Sequence, residues 1–186
     1  MKKPTAISRR IESCINYENA QNHESALINF FPALDKTAKK RRHREGVGSR
    51  IKKFIADQEE IITAVSTGNI FKDIQINGIN FPEAIYKFGR TSISHEGELD
   101  DRLNFNDNGI LTIGDVWNLP SSYITGLCVS VIVAPENSNE FIERPLEITL
   151  FGKKFGINKL WGAEDTVKQL ISDAFQQPDL FSNGHQ

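Results

Sequence analysis

The sequence predicts an α+β fold that is mainly α: a helical bundle with short β-hairpins, closed by a C-terminal hairpin plus helix. Three observations predict it. Apolar residues recur at helical spacing through most of the chain before Pro135. Alternation with a period of two is confined to short stretches beside Asn-Gly or Gly. The most apolar run, Tyr123 to Ala134, is too short to cross a bilayer and is broken at Pro135, so it reads as a buried core helix.

The elements follow in order. Ile7, Ile11, Cys14 and Ile15 share one helical stripe. A second helix carries Leu27, Ile28, Phe31, Leu34 and Ala38, with a kink or a late start expected at Pro32. Gly46 and Gly48 break the pattern, and Ser49 is the expected cap of a third helix that ends at Gly68. Residues 74–81 alternate around Asn77-Gly78, which favours the positive backbone angles of a tight hairpin turn. Pro82 suits the first turn of a helix bearing Ile85, Phe88 and Ile93, with Gly97 as its stop. A strand pair is expected from residues 103–105 and 110–113, joined through Asp107-Asn108-Gly109. Pro120 is the expected start of the apolar helix, and residues 136–140 form a polar loop. Strands at 146–151 and 154–157 precede a closing helix over 163–175 whose stripe is Val167, Leu170, Ile171, Ala174 and Phe175.

At 186 residues the chain suits a single domain, expected over 1–176, with 177–186 as a flexible tail. It is 39% hydrophobic and 25% charged, which provides a core and excludes wholesale disorder. A net charge of -2 exerts no global pull on nucleic acid, so any such attraction must be local. Cys14 and Cys128 form no CxxC pair and read as small buried hydrophobes, reduced in a cytoplasmic protein. The residues after Met1-Lys2-Lys3 lack the apolar stretch of a signal peptide, and no membrane span is expected.

The stretch most informative about function is residues 86–97, Tyr-Lys-Phe-Gly-Arg-Thr-Ser-Ile-Ser-His-Glu-Gly. Arg90 supplies a permanent cation that can hold non-bridging phosphate oxygens. His95 titrates near neutral pH, so it can take a proton from a ribose 2′-hydroxyl or give one to a leaving oxygen. Arg90-x4-His95, late on a core helix, resembles the R-x4–6-H motif of the HEPN superfamily, many of whose members are metal-independent endoribonucleases. The resemblance spans roughly residues 7–134; the strands beyond it and Leu160-Trp161-Gly162 fall outside. The superfamily often carries Asn, Asp or His directly after the arginine, where this chain has Thr91. The resemblance implies a homodimer with two motifs facing one cleft, and a 2′,3′-cyclic phosphate product. It implies no cofactor and no metal.

Spacing adds a condition. Positions five apart on an α-helix point roughly 140° apart, so either the helix changes course between Arg90 and His95 or a second subunit completes the site. Thr91 and Ser94 are hydrogen-bonding helpers in this reading. The structural alternative has His95 interacting with the helix end and Arg90 paired with Glu83, Glu96 or Glu98.

Lys39, Lys40, Arg41, Arg42 and Arg44, with Lys36 before them and Arg50, Lys52 and Lys53 after, form a basic run able to neutralise RNA phosphates. It lacks interleaved aromatics for base stacking, and its alternative is a solvated helix end. Glu96, Glu98, Asp100 and Asp101 read as an acidic loop, because no second histidine stands at ligand spacing. Gly46-x-Gly48 reads as a helix breaker, Trp161-Gly162 as an anchor for the C-terminal hairpin, and His23, His43 and His185 have no evident partners. The expected function is therefore RNA binding with endoribonuclease activity by Arg90 and His95. The alternative is a non-catalytic dimerisation or protein-interaction module on the same bundle.

Overall fold

The computed structural model describes residues 3–181. Its architecture is α+β and mainly α, with three small sheets set around a helical core. Helix α1 (Ala6–Asn19) starts where the Thr5 side chain accepts the Ile7 amide at 3.1 Å. A turn in which Gln21 adopts φ 57° leads to α2 (His23–Arg41), capped by Asn22. Pro32 lies inside α2 on its exposed side and the helix runs through it, so the late start expected there is not found. Helix α3 (Val47–Thr67) has Gly46 as its N-cap, three residues before the expected one. The Ser49 hydroxyl instead donates to Glu45 at 2.6 Å. Gly68, at φ 67°, ends α3 as its position in the sequence requires.

The Asn77-Gly78 turn closes a two-stranded hairpin, β1 (Gln75–Ile76) with β2 (Ile79–Asn80), both turn residues having positive φ. The next helix occupies residues 81–96 in three parts: α4 (Phe81–Ala84), a π-helical segment (Ile85–Thr91) and α5 (Ser92–Glu96). Pro82 sits in its first turn and Gly97, at φ 87°, ends it.

The middle strands differ from expectation. β3 (Leu103–Asn106) and β4 (Thr112–Ile113) do not pair with each other. Both pair with β5 (Trp117–Pro120), β3 in parallel and β4 antiparallel. Pro120 therefore ends a strand, and α6 (Ser122–Val133) starts after it. The period-two signal of β5 is masked because three of its four residues are buried. β6 (Glu147–Leu150) and β7 (Lys153–Gly156) form the expected C-terminal hairpin around Phe151-Gly152, and α7 (Glu164–Phe175) closes the fold. Residues 177–181 turn back on α7, bringing Leu180 and Phe181 against the core; the remainder of the expected tail, 182–186, lies outside the described residues.

One continuous core holds these elements together, from Ile7 and Ile11 of α1 to Val167 and Ile171 of α7. Helix α6 is its centre, buried at ten of its twelve positions, as a helix apolar on all faces must be. Trp161 belongs to the same core, and Gly162 donates its amide to the Ile132 carbonyl at 3.0 Å, which ties the C-terminal hairpin to α6. Helix α6 approaches the backbone of α3 closely at Gly126. A Cβ on Gly126 would lie 2.6 Å from the Ile62 carbonyl oxygen and 2.2 Å from the Ser66 hydroxyl. Gly126→Ala must push α3 and α6 apart. It should cost about 1–3 kcal/mol, seen as a melting temperature lowered by on the order of 3–10 °C. An unchanged melting temperature contradicts that packing.

Candidate functional site at the end of the 81–96 helix

The helix that carries Arg90 is widened. Between Ile85 and Thr91 its backbone bonds skip one residue further than in an α-helix, and the narrower winding resumes at Ser92. The change of winding falls between Arg90 and His95, within the segment that the first of the two spacing alternatives concerns. Burial fixes the inner face: Ile85, Phe88 and Gly89 point into the core, and a Cβ on Gly89 would lie 2.7 Å from Phe31 Cζ.

Arg90 is half-buried and makes no hydrogen bond or ion pair among the described residues. Glu83, one of its candidate partners, is bound by Lys52 at 2.7 Å, and neither Glu96 nor Glu98 reaches it. Thr91 is half-buried, and its hydroxyl oxygen is buried without a partner. Three other helical threonines differ. Thr37, Thr63 and Thr67 each donate to the carbonyl four residues back at 2.9 Å. Thr91 lies in the π-helical segment and makes no such bond. Ser94 and His95 are exposed on the last turn, and no hydrogen bond joins His95 to Arg90.

A neighbouring feature was not legible in the sequence. The acidic loop folds back so that the Asp100 amide donates to the Phe88 carbonyl at 3.0 Å. The Arg102 guanidinium lies 4.2 Å from the Phe88 ring centroid and binds Asp100 at 2.6 Å. Hydrogen bonding from Arg102 lowers the Asp100 pKa to about 2. Two of the local charges thereby satisfy each other beside the uncommitted Arg90.

The basic run is distributed differently from a continuous cationic face. Arg41 binds Glu136 at 2.7 Å, Asp57 at 3.1 Å and Glu164 at 3.3 Å, while stacking over Phe54. Arg42 binds Asp57 at 2.6 Å, and Lys40 binds Glu140 at 3.1 Å. Glu140 also accepts hydrogen bonds from Thr5 and Ser8. Arg50 and Lys53 pair with Asp35 and Glu45. These side chains join α2 to α3, α7 and the loop after α6. Lys36, Lys39 and Arg44 are left exposed, without a salt bridge among the described residues.

His23, which showed no partner in the sequence, has two in the fold. Its Nδ1 lies 2.9 Å from Glu18 and its Nε2 3.0 Å from Asp107, so the imidazole joins α1 to the loop after β3. Burial opposes its charged form, but hydrogen bonds to Glu18 and Asp107 outweigh burial and raise its pKa above 6.5. Burial also raises the Glu18 pKa, against the lowering effect of His23. Because folding raises the histidine pKa, its stabilisation is complete below 6.5 and fades as pH rises through the folded value. The lower limit of this window is the raised titration of Glu18, where one carboxylate loses its charge. The melting-temperature difference between wild type and His23→Asn should therefore be largest at mildly acidic pH and shrink at alkaline pH. A difference independent of pH contradicts the ion-pair assignment.

The family model described as Rv1289 matches residues 6–182. Uncharacterized protein Rv1289 of Mycobacterium tuberculosis strain H37Rv is 23% identical over 169 residues, covering 79% of each chain. Uncharacterized protein Mb1320 of Mycobacterium bovis matches with the same identity and coverage. No solved structure matches. The family match takes in the seven α-helices of the described residues, Arg90 and His95 included, and the chain belongs to the Rv1289 family.

Proposed function

We propose that this protein binds RNA and cleaves it as a metal-independent endoribonuclease, with Arg90 and His95 as the reacting pair. The observation that carries the reading is the π-helical segment, which leaves a half-buried guanidinium and a buried threonine hydroxyl without partners one turn before an exposed histidine. Such widened turns occur frequently at functional sites, and buried polar groups without partners call for an explanation. The resemblance of Arg90-x4-His95 to the HEPN motif supplies the chemistry. Arg90 holds the non-bridging oxygens and stabilises charge as it develops on them. His95 takes the 2′-hydroxyl proton, the 2′-oxygen attacks phosphorus, and the 5′-oxygen leaves with a proton from water, giving a 2′,3′-cyclic phosphate and a 5′-hydroxyl. Thr91 and Ser94 assist by hydrogen bonding.

The site lies at an open helix end, so a second copy of the chain is proposed to close it about a two-fold axis. Lys36, Lys39 and Arg44 are the members of the basic run left to meet RNA phosphates. A cytoplasmic setting agrees with the two free, buried cysteines. No helix among the described residues is long and apolar enough to cross a membrane. A second reading, a non-catalytic dimerisation or protein-interaction module, draws support from Ile110 and Val116, which are 53% and 43% exposed on the segments flanking β4.

The two readings separate in one assay. Purified protein is incubated in EDTA with mixed single-stranded RNA, alongside Arg90→Ala and His95→Ala. The nuclease reading expects cleavage with cyclic-phosphate ends, reduced by about 100-fold or more in each variant. Cleavage equal in all three overturns it, and no cleavage by wild type favours the interaction module.

A further inference from the structure

The chain's two cysteines lie 114 positions apart in sequence, yet the fold brings their sulfurs to 3.1 Å of each other, Cys14 on α1 and Cys128 on α6. Both are free thiols. A disulfide bond is about 2.05 Å long, so closure needs an approach of about 1 Å. The two sulfurs differ in access. Both are buried, Cys14 at 0% and Cys128 at 3% exposure, but only Cys128 lines a cavity of about 240 Å³ between α1, α6 and β6, together with Ile15, Glu18, Thr125 and Ile148. That volume admits water-sized molecules, and Glu18 and Thr125 place polar groups on its wall.

We propose that Cys14 and Cys128 form a peroxide-responsive dithiol that closes to an intramolecular disulfide, Cys128 reacting first and Cys14 resolving. In the first step the Cys128 sulfur attacks hydrogen peroxide entering by the cavity. The O–O bond breaks, Cys128 becomes a sulfenic acid, and one water leaves with the thiol proton. In the second step the Cys14 sulfur attacks the sulfenic sulfur. The S–S bond forms, the S–O bond breaks, and the hydroxyl leaves as a second water with the Cys14 proton. Two thiols are oxidised by two electrons and one peroxide is reduced to two waters. The order of events follows from access and from the local chemistry. Hydrogen bonding to Cys128, reinforced by burial, raises the Cys14 pKa well above 9.0, so Cys14 remains a protonated thiol until its neighbour has reacted.

The product cross-links the first helix to the central one across most of the chain, which constrains the unfolded state strongly. The test treats the full-length folded protein with a small excess of hydrogen peroxide in the presence of EDTA, then quenches with catalase. Intact mass should fall by about 2 Da, with a Cys14–Cys128 cross-linked peptide after digestion. The melting temperature should rise by at least about 5 °C and return on adding dithiothreitol. In Cys128→Ala, Cys14 should resist the same peroxide dose. Gains of about 16 Da without a cross-link, disulfides only between separate chains, or an unmodified wild type overturn the proposal. So does oxidation of Cys14 at the wild-type rate in Cys128→Ala. The mass measurement on wild type needs no variant to fold.

Discussion

The contact between Gly89 and the ring of Phe31 sets how deeply the 81–96 helix seats in the bundle. Any side chain at Gly89 would meet Phe31 Cζ at 2.7 Å and Leu103 at 3.3 Å. A glycine inside a helix costs about 1 kcal/mol relative to alanine, and here that cost is offset by close packing on α2 and β3. The next residue is Arg90, which is held at the boundary of the core. Phe88, one step before, offers its carbonyl to Asp100 and its ring to Arg102, so the loop into β3 starts from the same anchor. The end of the 81–96 helix and the three-stranded sheet therefore both pack around one small residue.

Charge is distributed with the same economy. Most of the cations in the basic run bind carboxylates from distant elements, and Arg41 alone connects α2 with α3, α7 and the turn after α6. Such half-buried networks orient helices whose apolar faces would tolerate several registers. Among the described arginines, Arg44 and Arg90 are left without a hydrogen bond or ion pair, and of these Arg90 is the one drawn partly into the fold. An uncommitted guanidinium is unusual in a protein that spends its other arginines so consistently. That contrast gives Arg90 more weight than its spacing from His95 does.

The helices were legible because their apolar positions repeat over several turns and their ends carry strong signals: Gly68, Pro82 and Gly97 all act as read. The β1–β2 hairpin was legible from Asn77-Gly78 and the β6–β7 hairpin from its alternation, whereas Asn108-Gly109 suggested a hairpin whose two strands instead both pair with β5. β5 was not, because Trp117-Asn118-Leu119-Pro120 is mostly buried and ends in proline, which imitates the start of the following helix. Its parallel pairing with β3 is a long-range property that no local pattern encodes. At the site, Arg90 and His95 stood out by residue type. The π-helical winding did not, since a single widened segment leaves no periodic trace. Nor did the partners of His23, which lie on α1 and beyond β3. The basic run misleads in sequence for a simple reason: a lysine or arginine committed to a distant carboxylate looks the same as one facing solvent.

The central claim is that Arg90 and His95 engage one phosphate. The most direct measurement is an NMR titration of the full-length protein with a short 2′-O-methyl RNA, which binds but lacks the attacking hydroxyl. The Arg90 side-chain N–H and the His95 ring resonances should shift together along one saturable curve, and Arg90→Ala should abolish the His95 shift. Binding that leaves both resonances in place, or that moves only residues of the α2 basic run, contradicts it.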